Sequence, residues 1–280
     1  AFELGLIKSR VIHYLARKLE TKILKSFDYS SSISSEMVKQ LHKKGVSKEK
    51  TFIFPNWVDL EQIYPLKGEK LIENRKNYNY LKNKDFLIAM YSGSMNQKQD
   101  FKLLIDSINY LSDCEEQVLW IIGGEGPSKG YVAERTKDIK NVIIQPLQPE
   151  SKMNEWLNLA DIHLVPQKTG TSDLVLPSKI LGMLASGKPI VATAPRQSEL
   201  HNIVNETGIC TKPGDSKAFA NAILELIENP EKRRIYGMKA RIYAQERFGK
   251  EKVLNELEKN LYKYKLADED KYNNKNDQNK

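Results

Sequence analysis

At 280 residues the chain can bury a sizeable core and divide into about two domains of ordinary size. Its 40% hydrophobic and 29% charged residues are an ordinary globular balance, which excludes a disordered, collagen-like or coiled-coil body. The net charge is +8, and residues 1–50, with 11 Lys/Arg against 5 Asp/Glu, carry +6 of it.

Such a local basic surface suits the phosphates of a nucleic acid, anionic lipid headgroups or a phosphorylated acceptor, or is a solvated helix face. Two cysteines, Cys114 and Cys210, are too few for a disulfide framework or a cysteine-rich zinc site and fit a reducing compartment. The apolar stretches Phe86–Tyr91 and Val118–Ile122 fall far short of the roughly 18 residues of a membrane helix, and Ala1–Arg10 lacks the order of a signal peptide. The expected location is cytoplasmic, with peripheral contact at the inner face of the membrane through residues 1–50 left open.

From Leu4 to Phe27 apolar residues recur at Ile7, Val11, Leu15, Leu19, Ile23 and Phe27, with Arg10, Arg17, Lys18 and Lys25 elsewhere, which predicts an amphipathic helix. Ser34–Gly45 reads as a short helix with Ser34 as its cap and Gly45 as its stop. Thr51–Phe54 then reads as a strand where a helix-turn-helix would need its recognition helix, so no nucleic-acid partner is expected. Lys67–Lys84 is polar and reads as a loop at a domain boundary.

After that loop, strands alternate with helical segments: strands at Phe86–Tyr91, Val118–Ile122, Val142–Ile144, Ile162–Val165, Pro189–Thr193 and Gly208–Thr211, helices at Phe101–Leu111, up to Lys140, Ser151–Leu159, Ser178–Ser186 and Phe219–Glu228. This predicts an α/β fold with right-handed βαβ units and a doubly wound parallel sheet, with ligands at the carboxyl ends of the strands. From Leu266 onward no apolar period remains, and a disordered tail is expected.

Three turns at that edge carry unusual residues. Ser92–Lys98 combines small residues, which let a ligand approach the backbone, with Lys98 at the mouth of the next helix; a phosphate contact and a plain glycine turn both fit. Gly123-Gly-Glu-Gly-Pro127 matches neither the dinucleotide nor the triphosphate fingerprint and reads first as structural. In Gly170–Pro189, Pro177 or Ser178 opens a short helix whose free N–H groups, with the Ser178 hydroxyl and the Lys179 ammonium, suit a phosphate-bearing ligand.

The ordered set Pro55-Asn-Trp-Val-Asp59, Tyr91-Ser-Gly93, Gly123–Pro127, Ala160-Asp161, Leu176-Pro-Ser-Lys179, Ala185–Ala192, Pro213-Gly-Asp215 and Arg241–Phe248 resembles the nucleotide-sugar-binding half of retaining glycosyltransferases of family 4. The likeness is greatest to bacterial transferases of exopolysaccharide and O-antigen assembly. The resemblance implies a GT-B architecture of two facing Rossmann-like domains, with no metal and no cofactor beyond the donor itself. It places the diphosphate at Gly93, Ser94 and Lys98 and at Pro177, Ser178 and Lys179, with Gly124 and Thr171 also near the substrate, and the nucleobase against Gln145–Leu147.

The family's two glutamates align with Leu174 and Gly182 here, so Asp173 and backbone groups are expected to substitute. Glu199 matches a recurrent family acid and equally suits a helix cap. The family's first domain would need about a hundred further residues upstream, so the chain is expected to be a fragment. The expected division is 1–60 as a remnant of that domain, 61–84 as linker, 85–245 as the Rossmann-like domain, 246–265 as a returning helix and 266–280 as the tail.

His13 and His42 read as surface residues, His163 as a core histidine, and His201 as a weak base candidate. The expected activity is sugar transfer, with retention, from a nucleotide sugar to a saccharide or lipid-linked acceptor, with Lys98 and Lys179 stabilising the departing diphosphate. Turnover by this chain alone is expected to be slow or absent, and a binding domain without turnover is the alternative.

Overall fold

The structure, a computed structural model, describes residues 10–81, 86–112, 118–168 and 176–277, with side chains from Val11 to Tyr264 in those ranges. Two compact units divide the chain: Trp57–Lys252, and a smaller one drawn from Ala1–Asn56 and Val253–Lys280.

In the smaller unit α1 (Arg10–Ser26) is followed by β1 (Ser30–Ser32), α2 (Ser35–Lys43) and β2 (Thr51–Ile53). β1 and β2 pair in parallel, Ser30 opposite Thr51 and Ser32 opposite Ile53. The predicted cap is present, since the Ser34 hydroxyl accepts from the Met37 N–H at 3.2 Å. The apolar stripe of α1 is also present, with Val11, Leu15 and Leu19 each more than half exposed.

The larger unit contains α3 (Gly68–Lys76), β3 (Leu87–Ser92), α4 (Phe101–Tyr110), β4 (Val118–Gly123), α5 (Lys129–Thr136) and β5 (Val142–Gln145). Then come α6 (Met153–Leu159), β6 (Ile162–Val165), α7 (Lys179–Ala185), β7 (Ile190–Thr193), α8 (Glu199–Thr207), β8 (Gly208–Thr211), α9 (Ser216–Glu228) and α10 (Pro230–Arg247). α11 (Lys250–Asp277) closes the chain.

The six strands β3–β8 form one all-parallel sheet in the order β5-β4-β3-β6-β7-β8. Runs such as Val118-Leu-Trp-Ile-Ile122 are buried along their whole length because helices cover both faces. Side chains alternate between two cores. Ile88, Met90, Leu119 and Ile121 pack with α6, α7, α8 and α10, whereas Ala89, Tyr91, Trp120 and Ile122 pack with α4, α5 and α9. The strand order reverses between β3 and β6, and doubly wound sheets bind their ligands at such a point.

Two expectations are corrected. The loop predicted over Lys67–Lys84 contains α3, which two of its polar residues anchor: Asn74 Nδ2 donates to the Glu155 carbonyl at 2.8 Å, and Arg75 pairs with Asp161 at 2.7 Å. The tail predicted from Leu266 continues α11 to Asp277, because Lys250–Asp277 contains neither glycine nor proline to stop a helix. α8 and α10 are additional to the predicted elements. Each begins at a recognisable cap, Ser198 accepting from His201 N–H at 3.2 Å and Asn229 accepting from Lys232 N–H at 2.9 Å, with Pro230 opening α10.

Candidate functional site

A cleft of about 630 Å³ opens where β3 and β6 end. Ser92, Gly93, Ser94, Asn96 and Lys98 line it from the turn after β3, and Gln167 from the segment after β6. Pro177, Ser178, Lys179 and Gly182 close one side from the start of α7, and Leu147, Met153 and Leu157 form an apolar wall.

The β3 turn is held from both sides. Gly93 N–H donates to the Gly123 carbonyl at 3.0 Å, and Asp100 N–H to the Pro166 carbonyl at 2.8 Å. Within it the Asn96 carboxamide oxygen accepts from Lys98 N–H at 2.9 Å, a local turn that fixes the Lys98 backbone at the cleft edge. Asp100 then caps α4 by accepting from Leu103 N–H at 3.1 Å.

Lys179, the first residue of α7, crosses toward that turn. Gly93 has φ +141°, and a Cβ there would lie 3.0 Å from Lys179 Cδ, so the absent side chain leaves the path of the lysine open. The Lys179 ammonium donates to Gln99 Oε1 at 3.1 Å and sits 4.2 Å from the centre of the Tyr91 ring. Lys179 as a residue is half-buried, and desolvation of its ammonium pushes its pKa down to about 7. The same burial pushes the Tyr91 hydroxyl up; it donates to the Ser94 carbonyl at 2.6 Å.

The Gly123–Pro127 turn supports its neighbour. Gly124 has φ +151°, and a Cβ there would stand 1.9 Å from the Gly93 carbonyl oxygen; at Gly126 it would stand 2.6 Å from that of Met95. Met95 N–H donates to the Glu125 carbonyl at 2.8 Å, and Ser128 N–H to that of Met95 at 2.9 Å. Two backbones approach this closely only because no side chain separates them.

Of the predicted site residues, Gly93, Ser94, Lys98, Leu147, Pro177, Ser178, Lys179 and Gly182 line the one cleft. Gly124 and Gln145 do not; they bond to each other, Gly124 N–H to the Gln145 carbonyl at 3.0 Å, and belong to the supporting turn. Glu199 opens α8 and is also off the cleft. Thr171, Asp173 and Leu174 lie outside the described residues. Ser178 lines the cleft and makes no side-chain cap bond to α7. At the position aligned with the second family glutamate, Gly182 has Leu157 against it: a Cβ would lie 2.9 Å from Leu157 Cδ1.

Gln99, Gln167, Met153 and Leu157 were not singled out in the sequence. Gln167 follows the predicted strand Ile162–Val165, so the rule that ligands sit at strand carboxyl ends could have flagged it. His163 is fully buried, with Nε2 3.3 Å from Ser186 Oγ, and burial, then the Lys188 charge, push its pKa down to about 3; it remains neutral and structural. His201 Nε2 lies 2.9 Å from Asn205 Nδ2 on α8 and does not line the cleft. Among the described residues no group of three or more His, Cys, Asp or Glu could hold a metal ion, and no helix is long and apolar enough to cross a membrane.

Residues 87–229 match the family described as glycosyl transferases group 1. WcaI of Escherichia coli (strain K12), named as a glycosyl transferase of colanic acid biosynthesis, is 29% identical over 255 residues, which are 89% of this chain and 61% of WcaI. The chain thus spans about six-tenths of that relative's length. Among solved structures, the sucrose-phosphate synthase of Thermosynechococcus elongatus superposes with a TM-score of 0.72 at 21% identity, over 93% of this chain and 64% of that one. Anabaena HepE in complex with UDP-glucose superposes with a TM-score of 0.71 at 18% identity, over 89% of this chain and 68% of that one. Both likenesses are of fold.

Proposed function

The chain belongs to the glycosyl transferases group 1 family, and we propose that its cleft holds the diphosphate of a nucleotide sugar during sugar transfer. The observation that carries this reading is the convergence of Lys98, Lys179 and Ser178 with side-chain-free Gly93 and Gly182 on one cleft at the sheet's switch point. A diphosphate needs cations and backbone that it can approach closely; the apolar wall of Leu147, Met153 and Leu157 suits a nucleobase.

In this reading the bond between the anomeric carbon and the donor's diphosphate breaks, and the leaving group takes up the negative charge. Lys179 meets that charge from a position held by Gln99 and Tyr91, with little reorganisation required as it develops, and Lys98 from the cleft edge. A neutral Lys179 takes up a proton when the phosphate arrives, because an anion beside it offsets the desolvation that lowers its pKa to about 7. An acceptor hydroxyl attacks the anomeric carbon from the face the diphosphate leaves, its O–H bond breaking as its proton passes to the departing phosphate oxygen, so configuration is retained, and the acceptor is a saccharide or a lipid-linked acceptor. No metal or other cofactor enters this scheme. The cytoplasmic face of the membrane is the proposed location, with the basic residues of 1–50 against anionic lipid.

The test is calorimetry with a panel of nucleoside diphosphates, followed by an assay for nucleoside diphosphate release from the corresponding sugar donors with lipid-linked acceptors. Binding of one or more of the panel is expected. Failure of every nucleotide to bind would remove the donor-site reading.

A further inference from the structure

Among the buried side-chain polar atoms of the described residues that line the cleft, one oxygen has no partner. The Gln167 side chain is 5% exposed, and its Oε1 has no hydrogen-bond partner among the described residues. Its backbone is fixed: Gln167 N–H donates to Thr193 Oγ1 at 2.7 Å, the Thr193 hydroxyl donates back to the Gln167 carbonyl at 2.8 Å, and Gln167 bridges Gln99 in antiparallel fashion. Two buried carboxamides are thereby held side by side on the cleft. The Gln99 oxygen accepts from the Lys179 ammonium; the Gln167 oxygen is the equivalent acceptor without a donor.

A buried carbonyl oxygen without a donor is costly, and the main-chain bonds hold the residue at the cleft while leaving its side chain free to turn. We propose that the Gln167 carboxamide turns into the cleft it lines and accepts a hydrogen bond from a hydroxyl of the transferred sugar, making it a specificity-determining residue for the donor. This rests on the donor-site reading given above. The position suits the role: Gln167 adjoins Gln99, Gln99 holds Lys179, and a sugar esterified to a diphosphate at Lys179 must place its hydroxyls within a few ångströms of that phosphate. A site built to bond a hydroxyl rejects an analogue that lacks it, because the protein group is left buried and unpaired.

The experiment compares UDP and GDP with UDP-glucose and GDP-mannose, by calorimetry, in the wild type and in Gln167→Met, which keeps the volume and removes both polar atoms. In the wild type the sugar ester of the nucleotide that binds is expected to bind more tightly than the bare diphosphate. In Gln167→Met the diphosphate should bind within about twofold of the wild-type value, which also reports an intact cleft, while the ester weakens by roughly tenfold or more. Equal loss for both ligands, or loss for neither, overturns the inference and leaves the donor site standing.

Because Gln167→Met could itself disturb the fold, a second measurement uses the wild type alone, with esters of the sugar deoxygenated at one hydroxyl at a time. One position should cost roughly tenfold, and insensitivity at every position overturns the assignment. If neither diphosphate nor ester binds at all, the donor-site reading fails and the assignment falls with it.

Discussion

Two glycine-bearing turns lie side by side at the carboxyl ends of β3 and β4, and they do different work. The Ser92–Lys98 turn lines the cleft, and its glycine leaves room for a lysine side chain arriving from α7. In the Gly123–Pro127 turn the glycines leave room for backbone, and none of its residues lines the cleft. Glycine is the same residue in both. What the missing Cβ admits, a flexible side chain or a rigid carbonyl, separates a ligand-binding turn from a supporting one.

The largest effect should come from the supporting turn. Gly124→Ala would bring a Cβ within 1.9 Å of the Gly93 carbonyl oxygen at a φ of +151°, and neither backbone can yield without losing the bond from Gly93 N–H to the Gly123 carbonyl. We expect a stability loss of about 3–5 kcal/mol, measured by denaturant unfolding. A loss below about 1 kcal/mol would mean that the two turns are not tightly joined.

Next is Lys179→Ala, which should weaken nucleoside diphosphate binding by about 1–3 kcal/mol while changing stability by about 1 kcal/mol or less. Calorimetry and unfolding on the same protein separate the two quantities; unchanged affinity would make Lys179 a bystander.

Gly93→Ala falls between these cases. Its Cβ would meet Lys179 Cδ at 3.0 Å, but a lysine stem can shift where a carbonyl cannot, so the stability cost should be about 1–2 kcal/mol, chiefly from the φ of +141°. A cost equal to that of Gly124→Ala would erase the distinction between the turns.

The smallest effect is that of pH. Lys179 titrates near 7 when the cleft is free, and a bound diphosphate raises that value, so affinity is full below about 7 and falls as pH rises above it. From pH 7 to pH 8 the loss should be less than about tenfold. The contribution of Lys179 is isolated by repeating the titration with Lys179→Ala, in which this part of the dependence should vanish. An identical pH profile in both proteins would remove the proton uptake from the scheme.

Much of the fold could be read along the chain because the interactions that make it are local. Runs such as Val118–Ile122 and Ile162–Val165 predict buried strands by composition, and Ser34 and Asp100 announce helix starts by bonding N–H groups three residues away. α3 was not legible: its sequence is polar, and what holds it is Arg75 reaching Asp161 and Asn74 reaching Glu155, partners more than eighty residues distant. In the cleft, small residues and lysines were visible as types, and Lys98, Ser178 and Lys179 were found that way. Gln99 and Gln167 carry no such signal in their residue type, since a glutamine is ordinarily a surface residue; only the place of Gln167 just after a strand could have flagged it.

The sequence alone determined that this is an α/β protein with a parallel sheet, and which turns at the sheet's edge carry glycines and cations, because periodicity, caps and chain order depend on near neighbours. Three-dimensional packing decided the rest. It joined the Gly124 turn to the backbone of the Gly93 turn, withdrew the Lys179 ammonium from water beside Tyr91 and Gln99, and left one buried oxygen of Gln167 without a donor. Desolvation, steric exclusion and hydrogen-bond satisfaction depend on which groups are close in space, and the residues involved here come from different βα units.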